Sequence, residues 1–456
     1  MTTDLASLAE AVSRFRSRER SFEVFGVVSA ILPHAINVSG ISSWANLGDF
    51  VELATTATAV HGEVVSIQSH HVVVVPHESR GAIRLGAEAR LIGRPRLLPH
   101  ASWKGRTIDP LGRPIDGNGK LGQGLEPTEF ERDPPSALSR RRVDKPIHSG
   151  IKAVDLFTPL CAGQRIGIFA GSGVGKSTLL AMLAAMKCAD TVVVALVGER
   201  GREVREFVEE ILVDARDRTV AVIATGDDSA MLRRLAPKAA MSIAEHFRDR
   251  GEHVLLVIDS ITRFAHAQRE YALASAEPPV ARGYPPSVFR ELAKLLERAG
   301  PGEEGLGAIT LVASVLVDGD DHNDPVADAV RGILDGHIVL DRGIAAQGRW
   351  PAINVLASIS RLAPKVWTTE HRKIINLAKS LLARYEETRD LRTIAGHKPG
   401  LDPNLDKAVL LAPRVLALLE QGPDVHEACK FSHLEAILAG TTPAQVSVAK
   451  QDASQE

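Results

Sequence analysis

The chain runs to 456 residues with a formal net charge of -2, and it is 45% hydrophobic and 24% charged. Such a length accommodates about two or three folded units, and the composition excludes a disordered or fibrous chain. The near-neutral charge lacks the basic excess of a protein that grips phosphate backbones.

The N-terminus carries Asp4 and Glu10 and no apolar run of the signal-peptide kind, so secretion by such a signal is not expected. Residues 1–21 form the first unit. Within it Leu5, Leu8, Ala9, Val12 and Phe15 recur at helical spacing among Arg14, Arg16, Arg18 and Glu19, which predicts an amphipathic helix that packs on its own domain or binds a partner. Residues 22–95 change to short β-rich runs broken by Gly, Pro and Asn: Val24–Leu32, Phe50–Leu53, Glu63–Ile67, His71–Pro76 and Glu88–Ile92. A small β-barrel is the expectation. His70 and His71 have no carboxylate or cysteine at ligand spacing, and no metal role is assigned to them.

Residues 93–150 are rich in Pro, Gly and charge and read as connecting structure, with Arg140-Arg141-Arg142 expected on a solvated face. Strands at Arg165–Phe169, Thr191–Val197, Val220–Ala224, Val254–Asp259 and Ala308–Val315 then alternate with helical stretches. That alternation is the pattern of an α/β fold with a parallel sheet, and residues 96–369 are assigned to this unit with its connecting segment. From 370 to 456 the strands stop, and helices are expected at His371–Arg389, Leu405–Gln421 and Val425–Ala439. Cys161, Cys188 and Cys429 are far apart and lack C-x-x-C spacing, so they read as core residues of a reducing compartment. Runs such as Val192–Val197 and Val254–Ile258 fall far short of the roughly 20 residues that span a bilayer, which leaves peripheral membrane contact.

The chemistry begins at Ala170-Gly171-Ser172-Gly173-Val174-Gly175-Lys176-Ser177-Thr178, placed between a strand and a helix. This is the setting of a phosphate-binding loop: backbone N–H groups and a helix N-terminus meet the phosphates, and Lys176 adds a point charge. Ala170 stands where the motif has its first glycine, a departure that is tolerated if the position needs no positive φ. Ser177 is the expected direct Mg²⁺ ligand. Asp259, ending an apolar strand, is expected to hold the water shell of the metal. Glu199 ends the run Thr191–Gly198, at the strand end where open parallel sheets bind ligands; it either orients the attacking water or pairs with Arg200 or Arg202 on the surface.

The stretch Val197-Gly-Glu-Arg-Gly-Arg-Glu203 resembles the Gly-Glu-Arg motif of the ATP synthase alpha/beta subunit family. The resemblance covers roughly residues 22–370, including Arg106-Thr-Ile-Asp-Pro-Leu-Gly-Arg-Pro-Ile-Asp116, Gly163-Gln164-Arg165, Asp259-Ser-Ile-Thr-Arg263 and Gly283-Tyr284-Pro285-Pro286. It implies a RecA-like P-loop ATPase core with a helical C-terminal domain, Glu199 as the residue that activates water, and Arg200 in the nucleotide site. The segment Trp350-Pro-Ala-Ile-Asn-Val-Leu-Ala-Ser-Ile-Ser-Arg361 implies that Arg361 reaches the site of a neighbouring subunit as an arginine finger, worth about 10³–10⁵ in rate. Trp350 then contacts the adenine or serves as a core or interface aromatic. One chain that carries both Glu199 and Arg361 implies a homohexameric ring.

Gly319-Asp-Asp-His-Asn-Asp-Pro-Val-Ala-Asp-Ala-Val-Arg-Gly-Ile-Leu-Asp-Gly-His-Ile-Val-Leu340 and Ser260-Ile-Thr-Arg-Phe-Ala-His-Ala-Gln-Arg269 are similar to the export branch of the family. That branch comprises the flagellum-specific ATPases and their virulence type III secretion relatives, and overall resemblance favours the flagellar side. It implies a cytoplasmic enzyme peripheral to an inner-membrane export apparatus. Its partners would be a stator-like regulatory protein at the N-terminus and, at the C-terminal domain, an export gate, a stalk-like subunit and chaperone-cargo complexes. A ring-shaped RNA translocase is the rival from another class. Aromatic residues make up only 4% of the chain, too few for the stacking platforms of single-strand binders, so no nucleic acid partner is expected. A rotary synthase subunit and a scaffold that binds nucleotide without hydrolysis are the remaining alternatives.

Overall fold

The structure is a computed structural model, and it describes residues 23–440 apart from 33–34, 56–58, 78–82, 212, 276, 318–323, 424 and 426–430. The expected helix at Leu5–Phe15, the start of the Gly319 stretch and Cys429 lie outside the described residues.

Six strands close the N-terminal barrel: β1 (Val24–Ile31), β2 (Ile36–Ser39), β3 (Phe50–Leu53), β4 (Val60–Ile67), β5 (His71–Pro76) and β6 (Glu88–Gly93), in the order β1-β2-β5-β4-β3-β6. Alternate residues point inward, so Val28, Val38, Val51, Leu53, Val64, Val72 and Val74 fill the interior. β2 has no counterpart among the expected strands. Gly26 marks a close approach of β1 and β2, since a Cβ there would stand 2.3 Å from the Ser39 carbonyl oxygen.

The central sheet is built from β7 (Arg106–Ile108), β8 (Arg165–Ala170), β9 (Thr191–Glu199), β10 (Thr219–Thr225), β11 (His253–Asp259), β12 (Ala308–Leu316), β13 (Gly336–Val339) and β14 (Ile359–Ser360). Their order is β14-β13-β8-β12-β11-β9-β10-β7, with the short strand Gly300–Pro301 added beside β12. All neighbours along this order are parallel except β13 and β14. Both faces are covered. Val193, Ala195 and Val197 of β9 enter one core, while Val192, Val194 and Leu196 enter the other, which is why the strand reads as a continuous apolar run.

Three expectations are corrected here. Part of the connecting segment is an edge strand of the sheet, β7, and Arg140 is a half-buried structural clamp. Arg140 donates to the carbonyls of Pro135 at 2.9 Å and Glu297 at 2.6 Å, and Arg141 donates to that of Gly307 at 3.0 Å. Guanidinium donors of both satisfy backbone carbonyls; Arg141 and Arg142 are exposed, in keeping with the solvated reading. Cys161 is buried as expected, but Cys188 is exposed.

The barrel is locked to the core through a buried charge. Glu63 of β4 pairs with Arg234 on α2 (Ala230–Arg248), and it accepts from the Tyr271 hydroxyl of α3 (Ile261–Ala274) at 3.2 Å. The guanidinium of Arg234 lies 4.1 Å over the Tyr271 ring. Beyond the sheet α5 (Thr369–Glu387), α6 (Pro403–Leu419) and α7 (Phe431–Leu438) pack together, with α1 (Lys176–Ala184) and α4 (Pro286–Glu297) belonging to the sheet layers. Asp402 caps α6 by accepting from the N–H groups of Asn404 and Leu405, and Pro403 occupies the first turn.

Candidate nucleotide site

β8 ends at Ala170 and α1 starts at Lys176, so the loop 171–175 bridges the sheet edge and a helix N-terminus. Ala170 is not among the positive-φ residues. It extends β8, and a methyl group is compatible there. Gly173 and Gly175 do take positive φ, at 76° and 85°. Gly175 has a second constraint, because a Cβ would come within 2.5 Å of the Trp350 ring. No side chain caps the N-terminus of α1, which leaves its N–H groups for an anion.

A cavity of about 800 Å³ opens over this loop. Lys176, Ser177, Thr178, Glu199, Arg263 and Trp350 are among its lining residues, so strand ends from several parts of the sheet converge there. At its floor the Lys176 ammonium bridges two carboxylates. It pairs with Asp259 at the end of β11 and stands 3.5 Å from Glu199 Oε1 at the end of β9. Asp259 also accepts from the Ser314 hydroxyl at 2.6 Å.

Glu199 Oε1 is buried without a hydrogen-bond partner. Burial raises the pKa of its carboxyl; the Lys176 charge opposes that rise and the neighbouring Asp259 adds to it. A carboxylate with an unsatisfied oxygen over a phosphate-binding loop is suited to accept a hydrogen bond from water. The surface reading of Glu199 is thereby disfavoured: its side chain is 13% exposed, and Arg200 turns outward to Glu203 at 3.2 Å.

Ser177 is exposed to the cavity, and Asp259 lies behind Lys176. Among the described residues no group of three or more His, Cys, Asp or Glu side chains could hold a metal unaided. The donor set of one hydroxyl and one carboxylate, all oxygen, fits Mg²⁺ carried in by phosphates and water.

Trp350, Pro351 and Arg200 form the rim. Arg361 does not line the cavity. It is exposed just beyond β14 and donates to the Arg331 carbonyl at 3.4 Å. Three contributors were missed in the sequence. Arg263, whose Nε is 4.0 Å from Glu199, sits one helical turn after Asp259, a spacing that could have drawn attention to it. Gln421 and Pro423 arrive from beyond α6, and no local pattern announces them.

Residues 150–360 match the nucleotide-binding domain model of the ATP synthase alpha/beta family. Residues 367–439 match the T3SS EscN ATPase C-terminal domain. The chain is 54% identical to the flagellum-specific ATP synthase of Agrobacterium fabrum, over 92% of this chain and 89% of the relative. It is 41% identical to the type 3 secretion system ATPase of Xanthomonas euvesicatoria, over 88% and 90%. Among solved structures, the assembled ATPase EscN of the enteropathogenic E. coli type III secretion system superposes with a TM-score of 0.82 at 37% identity, covering 91% of this chain and 99% of that one. The same ATPase in complex with its central stalk EscO gives the same values.

Proposed function

The chain belongs to the ATP synthase alpha/beta family, in its branch of flagellum-specific and type III secretion ATPases, and from that premise we propose a shared-site mechanism by which it hydrolyses ATP to energise protein export. The observation that carries the proposal is the Lys176 ammonium poised between Asp259 and Glu199 at the head of the phosphate loop. An arriving triphosphate offers Lys176 stronger anionic partners. Transfer of the ammonium to the β- and γ-phosphates releases Glu199, whose free oxygen then orients a water toward the γ-phosphorus and accepts its proton.

The N–H groups of the loop and of α1 stabilise charge on the phosphate oxygens throughout. Ser177 and Asp259 would hold Mg²⁺, which would supply neutralisation of the phosphate charge. Arg361, remote from its own cavity, is assigned to the site of the next subunit in a homohexameric ring, where it stabilises charge that develops during transfer. Trp350 forms the wall on the base side. Among the described residues no helix is long and apolar enough to cross a membrane, and the reading places the ring peripherally on the export apparatus. The C-terminal helices are assigned to a central-stalk partner of the kind seen with EscN.

The higher identity to the flagellar relative, 54% against 41%, favours flagellar export over the virulence pathway. Replacing Lys176 by Ala is expected to abolish phosphate release while leaving a cooperative thermal transition, lowered by the lost pairing with Asp259 and Glu199, because the lysine faces a cavity and fills no core. Wild-type turnover in that variant would refute the site. In cells lacking their own flagellar export ATPase, the wild-type chain restores motility and the variant does not.

A further inference from the structure

The segment after α6 reaches the nucleotide cavity through Gln421 and Pro423, which line it beside Trp350 and Pro351. The Gln421 side chain is nevertheless engaged elsewhere. Its Oε1 accepts from the Lys152 N–H at 2.9 Å. Its Nε2 donates to the Gly150 carbonyl at 2.6 Å and to that of Val425. Its backbone N–H donates to the Trp350 carbonyl at 2.9 Å.

The Lys152 N–H is the first of the short helix Lys152–Phe157, whose N-cap residue Ile151 provides no side-chain cap. An amide 269 residues away in sequence therefore does the work that a local Ser or Asp ordinarily does. Trp350, held by the same residue, lies against Gly175 of the phosphate loop. An unbroken line of contacts runs from the C-terminal helices through Gln421 and Trp350 to the head of α1.

We infer that Gln421 is a positioning residue for nucleotide binding: it latches the end of α6 to the nucleotide domain and, through Trp350, holds the base-side wall against the phosphate loop. The inference rests on the reading that this cavity takes ATP. The Gln421 amide has no hydrogen bond to Lys176, Glu199 or Asp259, so its loss acts on the fit of the bound nucleotide and leaves the reacting groups in place.

The test uses the full-length assembled chain, with steady-state phosphate release and titration by a fluorescent ATP analogue. Gln421→Ala, and Gln421→Met as the variant that keeps side-chain volume, should raise the KM for ATP about tenfold with kcat within about twofold of wild type. Because the latch acts through Trp350, adding Gln421→Met to Trp350→Ala should raise KM no further. An unchanged KM in Gln421→Met, a parallel fall of kcat, or multiplying effects in the double variant would overturn the latch. If Lys176→Ala turned over normally, the ATP reading of the cavity would fail. If Lys176→Ala were dead while Gln421→Met kept the wild-type KM, only the latch would fail.

Discussion

The proposed placement of Arg361 in a neighbouring site has a quantitative consequence for mixtures of inactive proteins. In the sheet order β14, which precedes Arg361, is two strands from β8, which carries the phosphate loop. Ser360 pairs with Gly336 at the start of β13, level with the start of β8, whereas the loop follows the other end of β8. Arg361 is therefore about 10 Å across the sheet at about 4.8 Å per strand and about 13 Å along it at about 3.3 Å per residue, beyond the reach of an arginine side chain. Arg361→Ala should therefore bind ATP almost normally and lose about 10³-fold or more in turnover. Glu199→Gln should bind and not hydrolyse. In a randomly mixed 1:1 ring a site works when its own chain keeps Glu199 and the neighbour keeps Arg361, so about a quarter of sites regain both. The assay is phosphate release after subunit exchange, with ring composition checked by native mass spectrometry. Mixed rings no more active than either parent would refute the shared site.

Glu199 must be ionised to act as a base, and burial raises its pKa. Turnover at low ATP should fall as pH drops through that raised value, giving kcat/KM an acid limb above the ordinary glutamate value of about 4.3; a limb at or below that value would count against Glu199 as the base. His77, fully buried beside Phe50, has its pKa lowered from 6.5 to about 3 by burial, with Arg234 adding to the effect. Its contribution to stability is complete above 6.5 and is lost as pH falls toward 3, amounting to about 2 kcal/mol between pH 7 and pH 5. Urea unfolding of His77→Gln should lack that increment, and an unchanged pH dependence would refute the assignment. Glu63→Gln leaves the Arg234 charge buried without its partner and should cost about 3–5 kcal/mol. Glu63→Leu combined with Arg234→Met should recover most of that loss in thermal unfolding, whereas additive losses would show that the pair is not coupled.

Local chemistry carried much of this protein into view. Short β-rich runs broken by Gly, Pro and Asn marked five barrel strands, and the apolar runs of β8 to β12 marked the parallel sheet, because side-chain type and burial are properties of a few consecutive residues. The loop 170–178 was legible for the same reason: positive φ at Gly173 and Gly175 and the lysine that follows are local requirements. Short pieces such as β2, β7 and β13 escaped, although the equally short β3 did not, because so brief a run owes its conformation largely to the neighbour it pairs with.

What only the tertiary structure decided is the meeting of residues far apart in the chain. Lys176, Glu199 and Asp259 each end or begin a different element, and strand order alone brings their charges together in a place dry enough to raise the pKa of Glu199. The surface appearance of Arg140 in sequence gave way for a similar reason, as backbone carbonyls of Pro135 and Glu297 take its guanidinium donors. Gln421 is the extreme case. Its amide satisfies a helix N-terminus and a carbonyl across the whole length of the catalytic domain, and such pairing depends on how the chain closes on itself.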